Sequence, residues 1–290
     1  MLTCVNNDRE ARRPSATELD RRAFRRRQNT RSVIISLVST IIFAVVIWLA
    51  VVNSPGWQQV QNSFFNWDTI VQAFPRVGEG LWLNIRVLFY ATIGVAVLAF
   101  IIAIMRTLRG PVFFPLRALA AGYTDLFRGM PLIIVLYLVG FGIPGLNLFG
   151  RMPLEFWGTI ALVTTYSAYV AEVFRAGIES VHPSQRLAAR SLGLSYAKTL
   201  RLVVMPQAIR KVTPALMNDF IAMQKDVGLI SVLGAVDAVR AAQIETAAAF
   251  NFSPYVLAGL LFVLLSLPMI RISDWYTGRL RRREQMGALV

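Results

Sequence analysis

Residues 33–52, VIISLVSTIIFAVVIWLAVV, carry no charge over twenty consecutive positions. At a rise of about 1.5 Å per residue, a helix of that length spans a hydrocarbon core of roughly 30 Å, so this run commits the chain to a membrane. The preceding residues 1–32 are too long and too arginine-rich, in front of too long an apolar run, for a cleaved signal peptide. They read as the cytoplasmic start of an uncleaved anchor. Further uncharged stretches lie at 87–105, 129–150, 156–171 and 246–270. The segment 212–234 is interrupted by Asp219, Lys225 and Asp226. It must still cross if the helices on either side of it are both to end in the cytoplasm. The expected fold is all-α, an integral membrane protein with six transmembrane helices.

Orientation follows from where the cations fall, because cytoplasmic flanks collect Lys and Arg. With both ends inside, segments 1–32, 106–118, 175–211 and 271–290 are cytoplasmic and hold 9, 3, 7 and 5 basic residues. The opposite loops hold one each, Arg76, Arg151 and Arg240, while Arg86, Arg128 and Lys225 fall within crossings. The net charge of +14 is therefore mostly a topology signal, with no need of nucleic acid to explain it. A tail with nine arginines and few large apolar residues is expected to stay disordered, in contact with anionic membrane lipid or serving orientation alone. One cysteine, Cys4, and one histidine, His182, leave no disulfide framework and little metal or imidazole chemistry. No G-x-x-x-x-G-K-[ST] phosphate loop is present, so an ATP-driven step would need another subunit.

The segment 176–211 is too long for a bare connection and has helical composition. Ser184 after Pro183 is expected to cap a helix through Arg186, Ala188, Ala189 and Leu192, with Gly193 as a left-handed stop. Ser195 would cap a second helix, Tyr196 to Val204, halted by Pro206. The two make a knob bent at a glycine; a helical hairpin lying on the membrane surface fits the residues nearly as well.

The run SQRLAARSLGLSYAKTLRLVVMPQAIRKVTPAL resembles the EAA loop of ATP-binding-cassette importer permeases, with Ala188, Ala189, Gly193 and Pro206 matching at the right spacing. Three further segments, YTDLFRGMPLIIVLYLVGFGIP, SAYVAEVFRAGIESV and QKDVGLISVLG, resemble motifs of the polar amino-acid uptake branch. The likeness runs from about residue 80 to 275. Beside the basic tail at 1–32 and the first helix and outer loop at 33–80, it implies a permease domain at 81–275 with its coupling loop at 176–211, followed by a second basic tail at 276–290. It also implies no catalysis and no metal in this chain, with ATP and Mg bound by a partner ATPase. The further partners implied are a second permease subunit, identical or related, and an extracytoplasmic solute-binding protein. The place implied is a bacterial inner membrane. Coupling to the ATPase would rest on Ala188, Ala189, Leu192, Gly193 and Leu194. Leu187 stands where the loop's glutamate is expected, and there it would remove the N3 partner of a Ser184 capping box. Val227 and Gly228 replace an expected Thr and Ser.

Charged groups at membrane depth mark a pathway or a partner. Arg128 is a candidate for a substrate carboxylate or, equally, the partner of Asp125 three residues earlier. Glu172 and Arg175 repeat that spacing nearer the cytoplasmic edge. Lys225 and Asp226 cannot share a face, so one of them would face the pathway or the second permease. Asp219, near Pro214, would face the same route or bond backbone groups that the proline frees. Gly129 and Pro131 should loosen the third helix. The alternative reading of the whole chain is an ATP-independent secondary transporter or channel.

Overall fold

The computed structural model describes residues 16–108, 110–148 and 150–287, and among them every regular element is helical. The chain divides into two compact units, residues 1–61 and 62–290. The first is dominated by α1 (Ala16–Val52), and every side chain of 33–52 is exposed, as lipid-facing residues would be. Residues 16–32, expected to be disordered, instead form the opening turns of this helix; the rest of the expected tail lies outside the described residues. The apolar run supplies a nucleated helix, and extending one is far cheaper than starting one, so the arginines join it despite their charge. A short α2 (Trp57–Phe64) follows.

The second unit is built around α3 (Trp67–Thr107), capped by the Asn66 side chain, which accepts from Thr69 N at 3.1 Å. Its 41 residues make it about 60 Å long, twice a hydrocarbon core, so it must project beyond the membrane. The uncharged part, 87–105, supplies the span. Alanines and valines at Val87, Ala91, Val95 and Ala99 form the stripe that packs on a later helix, α7.

The expected third crossing is not one helix. α4 (Phe114–Gly129) stops at Met130, and a second run, α5 (Leu132–Tyr137), a π-helical stretch Leu138–Gly142 and α6 (Ile143–Gly145), leaves it at 109°. Pro131 explains the break: it disfavours helical geometry at Met130, which sits at φ −97°, ψ 136°. α7 (Leu154–Glu179) then returns along α3 and carries the buried Ala161, Leu162, Tyr166 and Ala171.

α8 (Pro183–Ser191) and α9 (Tyr196–Thr199) form the expected bent pair. Pro206 does not halt the second helix. A π-helical stretch, Leu200–Val204, leads directly into α10 (Met205–Asp226), where Pro206 occupies the first turn. A proline ring clashes with the carbonyl of the preceding turn, and one widened turn removes that clash without ending the helix. A 3-10 stretch, Val227–Leu233, closes this element, and Gly234 turns the chain at φ 95°.

The expected sixth crossing begins later than its uncharged run. Residues 246–249 belong to α11 (Ala238–Ala249), which ends at Phe250 in the left-handed region, and α12 (Ser253–Gly287) starts only after Asn251 Oδ1 has accepted from Ser253 N at 2.9 Å. α11 lies along the projecting part of α3. Asn84 donates to Asp237 Oδ2 and accepts from Ala238 N, both at 3.0 Å, and Arg76 pairs with Glu245 at 2.7 Å. Asp237 also caps α11 through Arg240 N. Among the described residues, three helical segments, Gln28–Val52, Trp57–Thr107 and Ser253–Leu280, are long and apolar enough to cross a membrane, and five are if each of two bent pairs counts as one span.

Candidate functional site

At one end of the second unit, the C-terminal turns of α3 and α7 meet α8, α9 and the start of α10. The knob is held by a specific C-terminal turn: Gly193 N donates to Arg190 O at 3.0 Å and Leu194 N to Ala189 O at 3.2 Å. This double bond pattern requires a left-handed residue, and Gly193 supplies it at φ 81°. The five residues named for coupling do not share one environment. Leu192 is 83% exposed, Ala188 is exposed, Leu194 is half-buried, and Ala189 is buried at 4%. Ala189 therefore packs inward, and it is Leu187, 69% exposed, that joins Ala188 and Leu192 on the outer surface.

The cap of α8 is His182, not Ser184. Its Nδ1 accepts from Ser184 N at 3.3 Å and lies 2.7 Å from Ser184 Oγ. Pro183 takes the first helical position, where its missing N–H costs nothing. Leu187 is consequently the fifth helical residue, too far along to serve any capping box. Leu187→Glu should leave stability within about 0.5 kcal/mol of the parent, whereas His182→Ala should cost about 1 kcal/mol. Thermal unfolding of the purified chain in detergent checks both.

Behind the knob, Glu172 gathers three guanidinium groups. Arg106 Nη1 lies 2.5 Å from Oε2, Arg175 Nη2 lies 2.5 Å from Oε1, and Arg128 Nη1 is 3.9 Å from Oε1. Arg106 also donates to Thr124 Oγ1 at 3.0 Å, and Arg175 reaches Glu179 at 2.5 Å. The cluster thus ties α3, α4 and α7 together. Of the two readings of Arg128, the pair with Asp125 is not formed: no ion pair joins them among the described residues, and Asp125 is exposed. Arg128 sits in the last turn of α4, beside α7, where its guanidinium turns toward Glu172 and Tyr169 Oη donates to its carbonyl at 3.3 Å. The Glu172–Arg175 pair is present as its spacing indicated. Arg106 had no local signal beyond closing an apolar run.

On α10, Lys225 is exposed while Asp226 is half-buried and accepts from Tyr166 Oη at 2.7 Å, so the two do point apart. Asp219 lies seven residues before Asp226, two turns away on the same face. Its Oδ2 is buried without a hydrogen-bond partner, so it does not bond groups freed by Pro214. Nearby Gln224 is 1% exposed and its Oε1 accepts from Ser266 at 2.5 Å, a tie from α10 to α12 that periodicity alone would assign to an apolar residue. No group of three or more potential metal ligands occurs among the described residues.

Long apolar helices, an ionic cluster at their common end and a bent helical knob beside it describe a polytopic membrane subunit of permease type. Residues 111–282 match the family described as the binding-protein-dependent transport system inner membrane component, and the chain belongs to that family. It is a permease subunit of the ABC transporter class, a membrane component and not an enzyme. Curated relatives include the arginine transport system permease protein ArtQ of Bacillus subtilis, 31% identical over 70% of this chain and 91% of that one. The probable glutamine ABC transporter permease protein GlnM of the same organism is also 31% identical, over 70% and 93%. Among solved structures, an amino acid ABC transporter crystallised with histidines superposes with a TM-score of 0.68 at 32% identity, covering 74% of this chain and 98% of that chain. The inward-facing methionine transporter MetNI, at 15% identity and a TM-score of 0.58, shares the fold.

Proposed function

We propose that this chain is one of two permease subunits of an ATP-driven importer for polar amino acids, moving substrate by alternating access. The observation that carries the coupling part of this reading is the knob itself: a rigid turn locked by Gly193, with Leu187, Ala188 and Leu192 offered outward and Ala189 anchoring it from beneath. Small and apolar groups on a fixed turn suit a groove on a partner ATPase, where ATP and Mg would bind. Gly193 and Leu194 act by holding the shape of the knob. The names of the relatives, arginine, glutamine and glutamate permeases among them, support the substrate class.

In this reading six segments cross: α1, α3, the run after Met130, α7, α10 with its 3-10 extension, and α12. Both termini and the knob are cytoplasmic, as the distribution of arginines supports. The projecting turns of α3 with α11 then face a solute-binding protein outside the cell. Along the route, Asp219 and Asp226 offer carboxylates to a substrate ammonium group, and the exposed Lys225 faces the pathway or the second permease. Arg128, with 41% of its side chain exposed and only a long contact to Glu172, keeps N–H groups available for a substrate carboxylate. Glu172 itself is saturated by arginines and serves to hold helices.

The test is reconstitution in proteoliposomes with the cognate ATPase, a companion permease and a solute-binding protein. Uptake of a polar amino acid should require all of them and ATP. Uptake by this chain alone, driven by an ion gradient, would overturn the proposal. Gly193→Val places a β-branched residue at φ 81°, a conformation costing such residues about 1–2 kcal/mol. It should reduce ATP-coupled uptake by about five- to thirtyfold, the factor that this free energy corresponds to, while the chain still inserts and assembles.

A further inference from the structure

Two cavities of about 300 Å³ each lie side by side beneath the knob. The first is apolar, walled by Phe100, Ile104, Phe174, Leu200 and Ile209, with Arg201 at its margin. The second is walled by Arg186, Arg190, Tyr196 and Thr199. Thr107, Ile178 and Leu200 line both, so the two adjoin, an apolar half beside a basic half. No Asp or Glu lines either half.

Position and unmet bonding capacity say what such a space suits. Thr107 closes α3 just after its uncharged span, so the junction between the halves falls where hydrocarbon gives way to the polar layer of the bilayer. In the basic half, Thr199 is 3% exposed and its Oγ1 has no hydrogen-bond partner. Arg186 donates through Nη2 to Ile178 O, yet its Nε is buried and unpartnered. Buried donors left empty cost about 1–3 kcal/mol each, so a small outward turn of either side chain toward an acceptor in the cavity is favoured. Arg190 forms no ion pair among the described residues. These two unmet donors and the positive charges of Arg186 and Arg190 call for an anion with several acceptor oxygens, and the adjoining apolar groove calls for a chain of methylenes on the same molecule.

We infer that this paired cavity is a binding site for one anionic phospholipid of the leaflet on the α8 side, with its phosphate between Arg186, Arg190 and Thr199 and an acyl chain in the groove walled by Phe100 and Phe174. The lipid fills the space between the knob and the ends of α3 and α7. The site is independent of the transported solute.

Native mass spectrometry of the full-length permease assembly, released from detergent with added lipid, measures it directly. Phosphatidylglycerol should be retained at least about tenfold more tightly than phosphatidylcholine of the same acyl composition. Arg190→Gln combined with Thr199→Val should abolish that preference, and Arg190→Lys, which keeps the charge, should preserve most of it. Inorganic phosphate at matched concentration should not displace the lipid. Equal retention of the two lipids would overturn the assignment. So would a preference unchanged in the double variant, or displacement by phosphate alone, which would mark a soluble-anion site. Arg190→Lys keeps the test decisive if the double variant fails to assemble, because equal retention of the two lipids in it would count against the site.

Discussion

Gly80→Ala should be among the most damaging single-methyl changes in this protein. A Cβ at position 80 would lie 2.4 Å from the carbonyl carbon of Asp237, 2.5 Å from Ala238 N and 2.6 Å from Asp237 O. These are backbone atoms, and they cannot rotate away. α11 would have to move off α3, breaking both 3.0 Å bonds of Asn84, the one it donates to Asp237 Oδ2 and the one it accepts from Ala238 N. Overpacking of this kind costs about 3 kcal/mol, and the lost polar contacts add to it because Asn84 and Asp237 are 2% and 0% exposed. The matched control is Gly78→Ala, two residues earlier in the same helix, where nothing lies within 4 Å. That change should be neutral or stabilising by up to about 1 kcal/mol, since alanine is the better helix former. Unfolding midpoints of the two variants should therefore move in opposite directions. A Gly80→Ala protein as stable as the parent would show that α11 is not held against α3 as the structure places it.

Glu172→Gln is expected to be nearly as severe, for an electrostatic reason. Arg106 and Glu172 have only 17% and 18% of their side chains exposed, and Arg175 has 32%. Without the carboxylate, the partly desolvated Arg106 and Arg175 guanidinium groups face each other beside a third on Arg128, and the one anion left is the exposed Glu179 at the outer side of Arg175. Breaking one partner out of a buried ion pair costs about 3–5 kcal/mol, and residual solvent access here places the expectation near the lower end. Glu179→Gln, which removes a carboxylate that is 60% exposed from the same Arg175, should have no measurable effect on stability. Assembly yield and thermal unfolding in detergent separate the two. In transport assays Glu172→Gln should lower the amount of functional protein without changing apparent substrate affinity, because this carboxylate holds helices. A changed affinity with normal stability would instead put Glu172 in the pathway.

Much of this architecture was legible in the sequence because the signals were local. An uncharged run of twenty residues, a glycine two residues past a short amphipathic helix, and a proline after a glycine each act through their immediate neighbours. Thus the membrane helices, the left-handed Gly193 and a weakness near Gly129 and Pro131 all follow from short windows. The cap of α8 was misassigned by two residues since serine is the commoner capping residue, and only the position of His182 shows that its ring nitrogen faces the free amides. Pro206 was expected to end a helix, the usual effect of its ring, and a widened π turn let the helix pass through.

Pairing was a different matter. Arg106 and Glu172 are 66 positions apart, Asn84 and Asp237 are 153 apart, and nothing in the intervening sequence reports their approach. Asp125 was the nearest carboxylate to Arg128 along the chain, yet the packing of α4 on α7 gives Arg128 the carboxylate of Glu172 and leaves Asp125 exposed. The sequence by itself determined that the chain lives in a membrane, where its helices run and where the knob must bend, since hydropathy and backbone preference belong to consecutive residues. Only the tertiary structure decided which charges neutralise one another and which polar groups stay unfilled. Those outcomes depend on the register between helices far apart in the chain, and register is set by packing over the whole length of each contact.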